Sequence, residues 1–337
     1  MTPARFDAIT SRYPGLRLAV IGDFCLDRYF DIDPGRREIS IETGLPVHNV
    51  IRVRCQPGAA GTILNNLVAL GIGTLYPVGF CGDDGEGWSL RRALSHLPGV
   101  RLDAFVTAAD RHTFTYSKPL VHHSDQPPEE LSRLDQKNWT PTPGPLGEQL
   151  AAAVLRLTGE VDGSIVMDQV DLEGTGTVTR EVVGALAERS QSHPNALIVA
   201  DSRRGLGGWP PLAFKMNATE LAVLTGRPVD SLEDIGTACV ALARSSGRPA
   251  FVTLSERGIF GATAGGESAH VPNFPILGPI DIVGAGDAVS ANLTAALAAG
   301  ASVVEAMELA MAAAHLVIHQ LGTTGTASVP EIRKVLV

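Results

Sequence analysis

The sequence predicts an α/β protein: a doubly wound, mostly parallel sheet flanked by helices, with a small β-sheet lid. Three observations carry this. Short apolar runs alternate with helix-like stretches along the chain, the pattern of repeated βα units. Two stretches of period-two alternation stand outside that rhythm, at residues 28–53 and 112–121, and suit strands lying over a crevice. Polar residues (Asp23, Asp168, Asp201, Ser255 and Glu256) follow directly on predicted strand ends, where parallel sheets collect ligands.

In chain order, "LRLAVIGD" reads as the first buried strand, and "PVHNVIRV" falls in the first lid segment. "AAGTILNNLVALG" is a helix stopping at Gly71. "IGTLYPVG" is a strand and "GEGWSLRRALSHL" a helix. "HTFTYSKPLV" supplies the second lid segment, and the proline-rich "QPPEELSRLDQKNWTPTPGP" reads as a surface connection. "GSIVM" and "ALIVAD" are strands, separated by a helix through "TREVVGALAERS". "TELAVLTG" is a short helix with Gly226 past its end. "IGTACVALARSSG" is a helix, "AFVTLS" a strand, and long helices close the chain.

The 337 residues suffice for a large core, read as one domain over 1–337 with the lid segments inserted. At 45% hydrophobic and 19% charged, the chain is globular rather than disordered. A net charge of −9 argues against nucleic-acid or anionic-membrane partners, while leaving room for a local basic pocket. Cys25, Cys55, Cys81 and Cys239 have no CxxC or zinc spacing, so they read as reduced, buried thiols of a cytoplasmic protein. No secretory signal is expected from the N-terminus, which breaks at Pro14 and Gly15. The apolar stretch 291–320 is interrupted by Gly300, Glu305, Glu308 and His315, and reads as two buried helices.

Several motif classes are missing. There is no G-x-x-x-x-G-K-[ST], no complete dinucleotide fingerprint and no G-x-S-x-G. His315 and His319 have i, i+4 spacing in "HLVIH", without the zincin glutamate and among aliphatics, which favours core or cap roles. "DIVGAGDAVS", Asp281 to Ser290, remains. Its glycines suit a tight turn before a helix, with Asp287 placed favourably near the positive end of the dipole. The same turn can hold an anion on backbone N–H groups. Phosphoryl transfer needs both an anion hole and a group to accept the nucleophile's proton. Gly284, Ala285 and Gly286 can supply the first and Asp287 the second. Mg²⁺ is then expected to screen the charges.

"DIVGAGDAV" resembles the D-T-x-G-A-G-D-x-F motif of the PfkB (ribokinase-like) carbohydrate kinases. The resemblance extends over nearly the whole chain through "IGDFCLD", "GFCGDDGEG", "KMNATELAVLTG", "VTLSERG" and "LGTTGTASVPEI". "ISIETGLPV", with "TFTYSK" ahead of "RLD", is closest in pattern to the heptose-phosphate kinases of that family. The second, nucleotidyltransferase domain of their bifunctional members is not expected here.

The resemblance implies a ribokinase-like fold, ATP and Mg²⁺ as cofactors, and a sugar or sugar phosphate as acceptor. It also implies a homodimer paired through the lid. It places Asp27, Gly58, Ala59, Thr62, Lys118 and Asp281 on the acceptor side. Asn217, Glu220, Ser255, Gly258 and Arg203 fall on the nucleotide side, with Glu220 reaching Mg²⁺ through water. Plainer roles compete: Asp27 as a cap, Asn217 with Glu220 as a capping box, and Lys118, Arg203 and Arg204 as solvated charges. The chain also departs from the family. "PGAAGTILNN" has Ala59 for the second glycine and Thr62 for the asparagine of G-G-x-x-N, and Ile282 replaces the usual threonine. Met311 stands where a helix asparagine is frequent, and "DQVDLEG" lacks the lysine of D-Y-x-K-G. The expected activity is transfer of the ATP γ-phosphate to a sugar hydroxyl. The alternatives are a non-catalytic sugar- or nucleotide-binding descendant and a nucleoside kinase.

Overall fold

The computed structural model describes residues 1–123 and 127–337. Sixteen strands are seen among the described residues. They are β1 Arg17–Gly22, β2 Phe24–Ile32, β3 Glu38–Ile39, β4 Pro46–Val47, β5 Val50–Ala59, β6 Thr74–Gly82, β7 Phe105–Ala108 and β8 Phe114–Val121. There follow β9 Glu129–Glu130, β10 Leu134–Gln136, β11 Gly163–Asp168, β12 Ile198–Ser202, β13 Ala213–Asn217, β14 Ala250–Thr253, β15 Ile259–Ala262 and β16 Ser268–Val271. The helices are α1 Pro3–Thr10, α2 Ala60–Ala69, α3 Gly85–Ser95, α4 Gly144–Leu157, α5 Arg180–Ser192, α6 Ala218–Thr225, α7 Leu232–Ser246, α8 Ala285–Ala298, α9 Val303–Ile318 and α10 Val329–Leu336.

Nine strands form the main sheet in the order β16-β15-β14-β13-β12-β11-β1-β6-β7. It is parallel from β7 to β14; β15 and β16 add an antiparallel edge. The central strand β1 shows why the sheet is covered twice. Successive side chains point to opposite faces. Leu18 and Val20 join a core with α2, α8 and α9, while Ala19 and Ile21 join one with α4, α5 and α7. Helix starts are specified locally. Ser231 with Asp234 and Ser302 with Glu305 form reciprocal capping boxes at α7 and α9. Gly226 closes α6 in the left-handed conformation at φ 62°.

The lid is a separate sheet in the order β10-β8-β2-β5, with β9 also on β8 and a small β3–β4 pair beside it. It begins earlier and ends later than the 28–53 expectation: β2 starts at Phe24, and β5 runs to Ala59 directly into α2. Period-two reading missed these ends because Phe24, Cys25 and Leu26 are all buried where the lid meets the core. The proline-rich stretch is corrected too. Part of it is β9 and β10, which pair antiparallel with β8; its first residue, Gln126, lies outside the described residues. Cys55 is exposed, against the expectation of four buried thiols, because β5 forms the lid's open edge.

Candidate active site

Asp287 sits in the first turn of α8, beyond the strand ends. Gly284 precedes it at φ 85°, a left-handed conformation that favours glycine. A side chain on Gly284 would also meet Thr324 and Thr62, each 3.5 Å from the position of a Cβ. Ala285 already donates to the Ile282 carbonyl (3.2 Å). The N–H groups of Gly286 and Asp287, in the opening turn, have no helical carbonyl to receive them. Of the N–H groups expected to form an anion hole over Gly284–Asp287, that of Ala285 is thus already engaged within the turn.

Two cavities meet at this turn. One, of about 320 Å³, has apolar walls from Ile276, Ile280, Ile282, Val289, Met311 and Ile318. Ser255, Gly258 and Ala285 also line it, and Ser255 holds a strained φ of 53°. The other, of about 490 Å³, is polar and contains Asp287, Asp27, Ala59, Thr62, Lys118, Arg203 and Glu220. Ile282 and Gly286 border both. Burial pushes the Asp287 carboxyl up to about 7, with Lys215 opposing and Asp201 and Asp27 reinforcing the rise. A carboxyl poised near neutrality suits a general base.

On the polar side, Asp27 is buried beside Lys118, whose Nζ lies 3.7 Å away and 5.0 Å from the Tyr29 ring centre. Burial raises the Asp27 carboxyl, and the Lys118 ammonium opposes the rise. Gly58 does not reach the cavity itself. It lies under Asp27, where a Cβ would stand 2.6 Å from Oδ2 and 2.7 Å from Cys25 Sγ. Thr62 is fully buried, and its hydroxyl has no partner among the described residues. Asp23 ties down the floor by accepting the N–H groups of Gln169, Val170 and Thr177 (2.9, 3.2 and 2.6 Å).

Ala59 adopts φ 52°, ψ −117°, a conformation nearly reserved for glycine. Such strain costs about 1–3 kcal/mol. Glycine offsets part of that gain by loosening the unfolded chain. Ala59→Gly is therefore expected to stabilise the protein by about 1 kcal/mol. Urea unfolding checks this, and a lower midpoint for the variant would refute it.

Other expected residues sit differently. Asp281 lines neither cavity: its Oδ1 accepts from Val283 N–H (3.0 Å), so it shapes the turn. Asn217 is exposed and caps α6, accepting from Glu220 N–H at 2.9 Å while Glu220 Oε2 accepts from Asn217 N–H at 2.8 Å. Glu220 also borders the polar cavity. Arg203 faces that cavity rather than the apolar one, with its guanidinium 2.7 Å from the side-chain amide of Gln169, whose oxygen accepts from it when the amide is turned over. Arg204 is held by Asp168 at 2.9 Å. His319 turns back to donate from Nδ1 to the His315 carbonyl, 2.7 Å away.

Sequence reasoning gave no site role to Lys215 or Lys137, although Lys215 opens the quoted "KMNATELAVLTG", and it named Arg133 only within the "RLD" element of the resemblance. Lys215 donates to Asp201 at 2.6 Å beneath the turn, and Arg133 and Lys137 line the polar cavity. A lysine inside the apolar "AFKMN" was the available signal for the first. The other two lay in the stretch read as a connection.

Residues 211–330 match the profile of the pfkB family carbohydrate kinases, the family that the sequence resembles. In particular, the chain is 30% identical over 322 residues to "Bifunctional protein HldE" of Gluconacetobacter diazotrophicus. That match covers 95% of this chain and 63% of the relative, so the chain spans under two thirds of that protein's length. Among solved structures, Arabidopsis thaliana ribokinase complexed with ribose and ATP has a TM-score of 0.65 at 20% identity, covering 95% of this chain and 97% of that one. Escherichia coli phosphofructokinase-2, in complex with substrates and products, has a TM-score of 0.70 at 18% identity, with 95% and 98% covered. The fold is ribokinase-like.

Proposed function

We propose that the protein is an ATP-dependent kinase acting on a phosphorylated sugar, with Asp287 as the base. The observation that carries this is the meeting of an apolar and a polar cavity at Gly286, beside Asp287. The apolar cavity suits a nucleobase, and the likeness to a ribokinase complexed with ribose and ATP supports ATP as the donor. The acceptor hydroxyl attacks the γ-phosphorus while Asp287 takes its proton. The bond to the β–γ bridging oxygen breaks, and ADP leaves. Gly286 and Asp287 N–H groups face the charge that develops.

Lys118, Arg133, Lys137 and Arg203 line the polar cavity together. Arg203 has no acidic partner among the described residues. Lys118, Arg133 and Lys137 are each paired with a carboxylate, as is Lys215, so Arg203 is the lining cation left for a ligand, and a guanidinium suits phosphate oxygens. Mg²⁺ fits Glu220, whose Oε1 is free of the capping box and borders the cavity. Mg²⁺ is commonly held by one or two carboxylates plus substrate phosphates, and it would neutralise charge on the transferring group.

A coupled ADP-release assay with Mg-ATP and paired free and phosphorylated sugars tests this reading. Turnover confined to phosphorylated acceptors is expected. Turnover of free sugars alone would refute the acceptor class. Nucleotide binding with no turnover of any acceptor would favour a non-catalytic descendant.

We further propose that the lid pairs two copies. Ile41 (97% exposed), Ile39, Leu45, Ile51 and Val53 give it an apolar outer surface, and β5 is an open edge. Light scattering should give twice the 35.4 kDa chain mass. Ile41→Glu with Val53→Asp should halve it; a wild-type monomer would refute the pairing. Among the described residues no helix is long and apolar enough to cross a membrane.

A further inference from the structure

Lys215 is a buried ammonium directly beneath the catalytic turn. It lies on β13, 7% exposed, and donates to Asp201 Oδ2 on β12 at 2.6 Å. Its Nζ is 3.2 Å from where a Cβ on Gly286 would stand, so the nitrogen rests against the turn itself. Ser290, one helical turn beyond Gly286, also reaches Asp201 Oδ2 at 3.4 Å. The ammonium is paired with Asp201 on the sheet, and it lines the same cavity as Asp287 on α8. An ammonium has three N–H donors, and Asp201 takes one of them.

We infer that Lys215 is a positioning residue that sets the ionisation of Asp287, with Asp201 as the competitor that limits its effect. This rests on the reading of Asp287 as the base. Burial works against the charge on Lys215, but Asp201, then Asp287 and Glu220, outweigh it and keep the ammonium protonated. Around Asp287, burial disfavours the charged form, Lys215 and Arg203 favour it, and Asp201 and Asp27 oppose it. Cys25, Lys118, Arg133, Lys137, Asp171 and Glu220 complete the charged and titratable lining of the same cavity. Of the cations, Lys215 has the largest influence on Asp287. The two members of the pair therefore push the carboxyl in opposite directions.

The test is a ¹³C-carboxyl NMR titration of Asp287 in the nucleotide-free protein, its resonance assigned by its loss in Asp287→Asn. Lys215→Met should raise the midpoint by about 1–3 pH units, the size of effect an adjacent opposite charge produces. Asp201→Asn should lower it, because Lys215 is then left to Asp287. Should Lys215→Met fail to fold with Asp201 unpaired, Lys215→Met with Asp201→Asn removes both buried charges and should still raise the midpoint, because Lys215 outweighs Asp201. Midpoints unchanged in Asp201→Asn, or moving the same way in Asp201→Asn and the folded Lys215 variant, overturn the inference. The titration needs no acceptor. Failure of the wild type to phosphorylate any sugar would strike the kinase reading and leave this measurement standing.

Discussion

Asp287→Asn is expected to lower turnover by about two to four orders of magnitude, the usual worth of a positioned base. Asparagine keeps the shape but cannot accept the proton. Nucleotide affinity should change little, because the apolar cavity is formed by other residues. Stability should move the other way. The folded carboxyl is raised from 3.8 to about 7. Its contribution is therefore fully present below pH 3.8 and lost as pH rises through about 7. Asparagine carries no such penalty, so the variant should melt above the wild type at pH 8 and lose that advantage at pH 4. Turnover within a few-fold of wild type would remove Asp287 from its role. A melting difference independent of pH would contradict its raised ionisation.

Gly58→Ala should cost the acceptor side heavily. The added methyl would stand 2.6 Å from Asp27 Oδ2 and 2.7 Å from Cys25 Sγ, with both side chains buried. Overpacking of this kind costs about 1–3 kcal/mol. Displacing Asp27 by about an ångström would lower kcat/KM for the acceptor by roughly 100-fold. ATP binding should be spared, since Gly58 and Asp27 belong to the polar side alone. Calorimetry with ATP and steady-state kinetics in the acceptor separate the two. Equal losses on both substrates would show a general folding defect instead.

The layered architecture was legible because its signals are local. β1, β6, β11, β12 and β14 are short apolar runs, and several helices carry their stop or cap within a few residues, as at Gly226. Helix α4 and strand β13 were not foreseen. Proline and glycine open α4, and a charged lysine interrupts β13, so each local pattern is mixed. β9 and β10 are two and three residues long, too short for any periodicity. They exist because β8 offers them a partner from elsewhere in the chain.

The sequence by itself determined the class of fold, the glycine turn with its aspartate, and the residues bearing the family resemblance. These depend on backbone conformation and on chemistry carried within a few positions. Tertiary structure alone decided which cations share a cavity with Asp287, and that Arg203 lines the polar cavity rather than the apolar one. It also placed Gly58 beneath Asp27 and Asp281 within its own turn. Those facts join residues up to 260 positions apart, from Asp27 on the lid to Asp287 on α8. No local periodicity records such a distance. It is the packing of lid, sheet and helix that brings the charges close enough to alter one another's ionisation.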